Sequence, residues 1–574
     1  MPLFVTIKVL EGDEMTKIKE YLQDKKIIII VCAMIIFTVM MPFLQKGMVI
    51  GDDYEYHLTR IQSMVDAMKT GVFPVKIHPQ MANSYGYGSG LFYPNLFLYI
   101  PAIMGLIGID ILIAYKIFIA LMLLLMFVLL YFSIKNITDD TQSALVGTII
   151  IMLSKCLSLH LLHRFALGEF LGFIFIVPVI SGMYDYIYNE YKKPYWLFIG
   201  FFGLINSHLI TTLICTAYCV FVFFINIKSS IKNPKKVLKL VVTALAVALV
   251  TISFWAPMLE QMVKGEYKYS KPWTNMANDE YSMYDLFATE KYSIGIFITI
   301  SIPIILYSLF DKKISKKTKK FAISFIIMAL LVTNFSIWKI TKDFTNIIQF
   351  KWRLVGILTA IAGITLALLL KEYGYKNEIK MEHILVVILL LNMYLFTQYY
   401  VSSYNNPIII KEQEKVESKI YSMWNSIGGG SEYLPVETEL NVLYNPNHAI
   451  VVAKEKELAD KEKIEIIKTG LRAQFEKTEK EQTSFEMPFI YYYGYVANII
   501  DENGIATPLM VEKSENGLVK ITTDENIGTV HVWYNGTRIQ KLSYIISAVS
   551  YVAITVYAIY IIKKKMVIKE NIAK

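Results

Sequence analysis

The sequence predicts a polytopic α-helical membrane protein that carries a β-rich domain near its C-terminal end, and three observations predict it. Of 574 residues, 55% are apolar and only 18% are charged, with a mean hydropathy of +0.44. That balance suits the bilayer as solvent and excludes a wholly soluble multidomain enzyme, a disordered chain or a collagen. Apolar runs long enough to cross about 30 Å of hydrocarbon recur along the chain, for example 27–44 and 110–134. Between 402 and 540 the pattern changes to short alternating runs such as GTVHVWYNGT, separated by Pro, Gly and polar clusters.

In chain order, the first run follows Lys17, Lys19, Lys25 and Lys26 with no small-residue cleavage pattern, so it reads as a first membrane helix with its N-terminus in the cytoplasm. Spans are expected near 27–44, 110–134, 143–159, 166–188, 195–209, 210–227, 236–256, 293–310, 321–338, 354–370, 383–401 and 541–562, about 12 in all. The stretch 96–108 is short enough to be re-entrant, and 195–227 reads as either one long helix or a tight pair. An even count puts both termini in the cytoplasm. Lysine runs agree, because Lys192 with Lys193, the NPKK at 233–236, 311–320, 371–380 and 563–565 all fall in loops assigned to that side. The net charge of +9 therefore reads as topology and not as a nucleic-acid partner. The domain expectation is a transmembrane module over 1–401 with a first outer loop at 45–95, an extracytoplasmic β-rich domain at 402–540, and a last helix with a cytoplasmic tail at 541–574. The β-rich segment reads as a small sandwich, and the KEKELADKEKIE stretch inside it as a surface helix. All four cysteines lie in apolar runs, which leaves the exported domain without a disulfide.

The first outer loop carries the densest chemistry. In GDDYEYHLTRIQSMVDAMKTG, Leu58, Ile61, Val65 and Met68 follow helical spacing, so an amphipathic helix lying on the membrane surface is expected. Asp53, His57 and Arg60 recur at i, i+4 and i+7 on its polar side, with Asp52 just before them. Such a set suits holding a phosphate through a divalent cation, magnesium or manganese, and deprotonating an acceptor hydroxyl. The plain alternative is helix capping by Asp52 and dipole complementation by Asp53. Farther along the loop, Tyr85, Tyr87 and Tyr93 alternate with glycines and offer faces for sugar stacking or an interfacial belt.

Near 160, SLHLLHRFALGEF sets His160, His163, Arg164 and Glu169 at the outer ends of two spans, where ionisable groups are costly and point to function. His208 reads as a structural residue. In NIIQFKWRLVG, Gln349, Lys351 and Arg353 precede a span, and Trp352 can lie along a lipid chain. Five of the 57 basic residues are arginine, and Arg60, Arg164 and Arg353, those outside the exported domain, map to one membrane face. Cytoplasmic loops would be favoured for cations, so these arginines read as an anion site, with Lys351 beside it. The loop 257–292 adds Glu260, Glu266, Asp279, Glu280 and Asp285 with Trp273, of which Glu260 is the first choice for a second acidic ligand. No HExxH, CxxC, GxSxG or Walker pattern is present.

These stretches resemble a family. GDDYEYHLTRI, GVFPVKI, GYGSGLFYPNLFLYIP, HRFALGEF, IIQFKWR, EYLP and PFIYYYGYVANI, in this order over most of the chain, are similar to the bacterial YfhO-like polytopic membrane proteins, which belong with lipid-dependent glycosyltransferases of the GT-C fold. Related sequences tend to read QFPWR where this chain has Lys351 in place of the proline. The resemblance implies a GT-C-like membrane module, a catalytic acidic residue at Asp52 or Asp53, and a polyprenyl-phosphate sugar as donor; the spacing adds His57 as helper. It also implies a bacterial cytoplasmic-membrane location. The expected activity is inverting transfer of that sugar to an envelope glycan or polymer at the outer face, with Arg60, Arg164, Arg353 and Lys351 on the donor phosphate. Tyr85, Tyr87, Tyr93, His163 and Glu169 would line the substrate loop. A flippase or transporter for a lipid-linked glycan and a non-catalytic envelope scaffold are the alternatives.

Overall fold

Hydrocarbon offers the backbone no hydrogen-bond partner, so the long apolar runs close their own bonds as helices. The computed structural model describes residues 25–269, 281–287, 292–333, 337–374, 394, 409–410, 427–428, 430–452, 462–524 and 526–573. Among these, six helices are long and apolar enough to cross a membrane: Ile111–Thr138, Thr141–His163, Leu167–Tyr188, Pro234–Lys264, Lys351–Tyr373 and Arg538–Ile561. Five shorter apolar helices occupy Ile28–Leu44, Leu96–Leu106, Tyr195–Ile205, Leu209–Ile225 and Ile296–Phe310. Lys316–Val332 forms another helix. The region 195–227 is thus two helices, broken at 206–208. His208 begins the second of them as expected of a structural residue, its Nδ1 accepting from the Thr211 amide at 3.3 Å. The helix Tyr99–Leu106 has eight residues and reaches only about 12 Å, too short to cross. The expected span at 383–401 and the acidic residues Asp279 and Glu280, with Trp273, lie outside the described residues.

The chain divides into two compact units. The first comprises Met1–Tyr54, Leu112–Thr243 and Pro272–Val416. Its centre is Leu167–Tyr188, whose most apolar stretch is buried throughout. Ser181 is paired across helices, as polar groups in a lipid-embedded bundle tend to be: its Oγ donates to the Ser133 carbonyl at 3.1 Å and accepts from Asn136 at 3.0 Å. A two-residue antiparallel ladder joins Met48–Val49 to Ile409–Ile410.

The second unit comprises Glu55–Ile111, Ala244–Lys271 and Glu417–Lys574. It holds nearly all of the helix Tyr54–Lys69, whose Leu58, Ile61 and Val65 are buried as the spacing predicts. His57, Thr59, Arg60 and Ser63 are buried as well, so this helix is enclosed over its first turns and does not present the solvated polar face expected of a surface helix. The β-rich domain is a nine-stranded antiparallel sheet in the order 463–465, 448–451, 484–490, 518–522, 506–513, 495–500, 528–534, 472–477, 467–469. Alternation decides its faces: Ala473, Phe475, Tyr495, Ala497, Ile499, Val530 and Val532 point into a core shared with Phe485, Met487, Phe489 and Val519. The end of the expected surface helix is a strand instead, Lys463–Glu465 pairing with His448–Ile450, and 453–461 lies outside the described residues.

Candidate active site

The turn between two long apolar helices must sit near a membrane surface, and the site of the first unit is built on such a turn. The helical run Thr141–His163 ends in a π-helical segment, Leu159–His163, and Leu167–Tyr188 begins after three intervening residues. The reversal is sharp. Phe165 takes a positive φ of 54°, and Ala166 centres a γ-turn in which the Leu167 amide donates to the Phe165 carbonyl at 2.9 Å. Against this turn lies the segment carrying the acidic pair. Gly51 approaches so closely that a Cβ would stand 2.8 Å from the backbone of His163, Arg164 and Phe165, and the Asp53 amide donates to the Arg164 carbonyl at 2.9 Å.

That backbone contact sets Asp52 and Asp53 beside one guanidinium. Arg164 Nη1 is 3.7 Å from Asp52 Oδ2 and its Nη2 is 3.6 Å from Asp53 Oδ2, too long for hydrogen bonds, while its buried Nε has no partner among the described residues. Arg164 lies over the ring of Trp352, 4.6 Å from the centroid, and Trp352 stacks in turn on Tyr292 and Phe350. The Asp53 carboxylate is open on one side. Burial on the other pushes its pKa up to about 6, with the Arg164 cation pulling down and the Glu169 and Asp52 charges pushing up.

Beneath the acidic pair sits a buried ion cluster. Glu169, in the first turn of its helix, receives Arg353 Nε at 2.8 Å and lies 3.3 Å from His160 Nδ1. Arg353 also donates to the Ile348 carbonyl at 2.9 Å and to the Gln349 side chain. Gln349 adopts φ 67° and ψ −53° at the centre of a γ-turn closed by Phe350 N donating to Ile348 O at 2.8 Å. A strained turn of this kind persists only where its surroundings hold it, and here Arg353 holds it from both sides. Glu169 and Arg353 are therefore committed to each other. Their pairing sets them as the footing under Trp352 and Arg164. Lys351 is fully buried in the turn Lys351–Leu354, away from any solvent-borne ligand, and His163 is half-buried at the rim of the π-helical turn.

The remaining expected site residues belong to the second unit. Arg60 is enclosed, its Nη2 donating to the Pro94 carbonyl at 3.1 Å and to Asn95 Oδ1 at 2.5 Å, with its plane 4.3 Å from the Tyr93 centroid and 5.5 Å from that of Tyr56. His57 is buried beside the same tyrosines. Tyr85 and Tyr87 are core residues: Tyr85 accepts from the Asn445 amide at 3.2 Å, and Tyr87 donates to the Glu432 carbonyl at 2.6 Å. Gly88, directly after Tyr87, serves close packing, since a Cβ there would meet the Tyr492 ring at 2.5 Å. The helix begins at Tyr54, so Asp53 stands just before it in the first unit while His57 and Arg60 lie on it in the second, a division that helical spacing carries no information about. Glu260, in the second unit, accepts from the Thr537 hydroxyl. Gly51 escaped sequence reasoning, although a glycine directly before paired aspartates at the end of a span was its signal.

No protein-family model matches the chain. An uncharacterised protein from Lactococcus lactis subsp. cremoris is 24% identical over 312 residues, covering 51% of this chain and 50% of that protein, so the chain spans about half the length of the relative it matches. Among solved structures, the mycobacterial arabinofuranosyltransferase AftD overlaps 68% of this chain and 27% of its own, with 10% identity and a TM-score of 0.43. The Archaeoglobus fulgidus oligosaccharyltransferase overlaps 72% of this chain and 61% of its own, with 12% identity and a TM-score of 0.35. Neither overlap is close enough to assign a fold or an activity to this chain.

Proposed function

We propose that the chain is a membrane glycosyltransferase of the YfhO-like kind, moving a sugar from a polyprenyl-phosphate donor to an envelope glycan or polymer at the outer face of a bacterial cytoplasmic membrane. One observation carries the reading: a carboxylate poised as a base and an arginine with unused donors stand side by side at the turn between two membrane-length helices. The donor's lipid tail stays in hydrocarbon, which brings its phosphate to the level of that turn. Arg164, levelled on Trp352, receives the phosphate oxygens through its amino groups. Asp53 takes the proton of the acceptor hydroxyl as that oxygen attacks the anomeric carbon. The new C–O bond forms as the bond to the phosphate oxygen breaks, the phosphate leaves with the electron pair against Arg164, and in-line attack inverts the anomeric centre. Asp52 adds negative charge beside Asp53 and keeps it basic.

A divalent cation does not suit the pair as it stands. Arg164 already faces both carboxylates, and among the described residues no group of three His, Cys, Asp or Glu side chains is arranged to hold a metal.

The test removes the gene, restores wild type or an Asp52→Asn, Asp53→Asn double variant at matched membrane levels, and follows envelope polymers and lipid-linked sugars by mass spectrometry. Restoration of a missing glycan by wild type alone, with the carrier-linked sugar accumulating on the outer leaflet in the variant, supports transfer. Restoration by both proteins refutes a catalytic acidic pair. Accumulation on the inner leaflet moves the function to transport.

A further inference from the structure

The solvent face of the β-domain carries a second site. Strands 467–469, 472–477, 528–534 and 495–500 lie side by side, and since Ala473, Phe475, Val530, Val532, Ala497 and Ile499 face the core, the opposite parity faces outward. Register then aligns two rows. Gln474 stands opposite His531, and His531 opposite Asn498. One step along the strands, Thr469 stands opposite Arg472, and Arg472 opposite Trp533. These side chains line a groove of about 580 Å³, a volume typical of ligand clefts, whose walls include no carboxylate. The side chains of Arg472, Gln474, His531 and Trp533 take no hydrogen bond, ion pair or ring contact among the described residues. Asn498 Oδ1 is shielded from solvent without a donor.

The chemistry of the rows selects the ligand. A sugar ring has apolar C–H faces that lie on an indole and edges of hydroxyls that exchange hydrogen bonds with side-chain amides. A peptide strand adds along a sheet edge through free backbone groups, whereas Arg472, Gln474, His531, Trp533 and Asn498 stand on strands 472–477, 528–534 and 495–500, each of which has a neighbour on both sides. Nucleic acid would need several cations along its phosphates, and the groove has one arginine. That arginine, with no acid near it in the groove, matches a single carboxylate or phosphate. We propose that the groove binds a saccharide chain bearing an acidic group: Trp533 stacks on a ring, Gln474 and Asn498 hold its hydroxyls, His531 lies between them, and Arg472 takes the anionic substituent. This deepens the glycosyl-transfer reading by giving the acceptor polymer a place to be held, and it rests on that reading for its biological role while the binding itself does not.

The test measures binding of tetragalacturonate, maltotetraose and pentaglutamate to the full-length protein in phosphatidylcholine nanodiscs by calorimetry. Tetragalacturonate is expected to bind best, and Trp533→Ala to weaken it about 10-fold or more, as loss of a central aromatic anchor does. Arg472→Gln should erase the preference for the acidic sugar while leaving maltotetraose binding unchanged, and Asp53→Asn should leave all binding unchanged. Both groove positions point outward, and an unaltered melting temperature keeps a loss of binding from being a loss of fold. Gln474→Ala is the second variant. The proposal is overturned if no saccharide binds, if Trp533→Ala and Gln474→Ala bind as wild type does, or if pentaglutamate binds as tightly as tetragalacturonate. Saccharide binding that survives in a protein shown to transfer no sugar would sink the transferase reading and leave the groove standing.

Discussion

Breaking the pair between Glu169 and Arg353 should cost far more than replacing it. Glu169 lies 2.8 Å from Arg353 Nε and 3.3 Å from His160 Nδ1, with both members of the Glu169–Arg353 pair about nine-tenths buried. Glu169→Gln keeps the shape and removes the charge, leaving a guanidinium enclosed without its counter-ion. Loss of one partner from a buried pair costs about 3–5 kcal/mol, so Glu169→Gln and Arg353→Met should each fall in that range. Removing both leaves no isolated charge from the pair, and apolar replacement of a whole buried pair is often neutral, so the double variant should cost less than either single one. The coupling energy would then exceed about 3 kcal/mol, against about 0.5 kcal/mol or less for independent sites. Reversible unfolding of the purified protein by SDS titration in mixed micelles measures all four corners of the cycle. Costs that add within about 0.5 kcal/mol would refute the pairing as a unit, and with it the footing assigned to Trp352 and Arg164.

Other consequences follow from single contacts. With the Asp53 pKa pushed up to about 6, transfer at subsaturating donor and acceptor should fall as pH drops through 6, to about a tenth of its neutral value at pH 5; a flat profile from 5 to 8 would remove Asp53 as the base. Gly51→Ala places a methyl 2.8 Å from the 163–165 backbone, which must displace the acidic pair and lower the transfer rate about 10- to 100-fold with the fold retained; an unchanged rate would show that this contact does not position Asp53. Burial lowers the Lys468 amine to about 7, although the carbonyls of Ser84 and Pro488 accept from it. The unfolded chain therefore binds more protons than the folded one between pH 7 and the ordinary lysine value, so stability should rise over that interval. Lys468→Met should flatten the rise, and melting curves at pH 7 and pH 10 that shift equally in both proteins would contradict it.

The acidic pair, Arg164 and the neighbourhood of Arg353 were legible because the chain keeps so few arginines and because ionisable groups at span ends are expensive. Hydropathy found the apolar helices, and alternation found the β-rich domain. Pairing was not legible. Glu169 and Arg353 stand 184 residues apart, and nothing in either local stretch selects the other as partner. Spacing put His57 and Arg60 on one helical side, but whether that side meets solvent or protein depends on Tyr93 and Asn95, supplied from beyond the helix. The Tyr85–Tyr93 stretch reads as a ligand loop for a similar reason, since a tyrosine packed against another ring, as Tyr87 is on Tyr433, and one stacked on a sugar share the same local sequence. The groove on the β-domain stayed hidden because Arg472, Trp533 and Asn498 come from three strands and meet only through register.

The loose contact between Arg164 and the acidic pair has a kinetic consequence. At 3.6 and 3.7 Å the carboxylates attract the guanidinium without occupying its donors, and Trp352 supports it from beneath. A donor phosphate can then bind Arg164 without first breaking a hydrogen-bonded salt bridge. Once bound, its negative charge offsets the cation that holds the Asp53 pKa down, while the burial that raises it is deepened by the lipid-linked sugar. In the proposed transfer, donor binding therefore makes Asp53 a stronger base at the moment a base is needed. Because kcat/KM reports the free enzyme and kcat the loaded one, the acidic limb of kcat should lie above the limb of kcat/KM for donor, near 6. Arg164→Gln should narrow the separation to what deeper burial alone contributes, because the limb of the free enzyme already lacks the cation. A kcat limb at or below that of kcat/KM in wild type would show that the phosphate does not meet Arg164, and the donor site would have to be sought elsewhere in the unit.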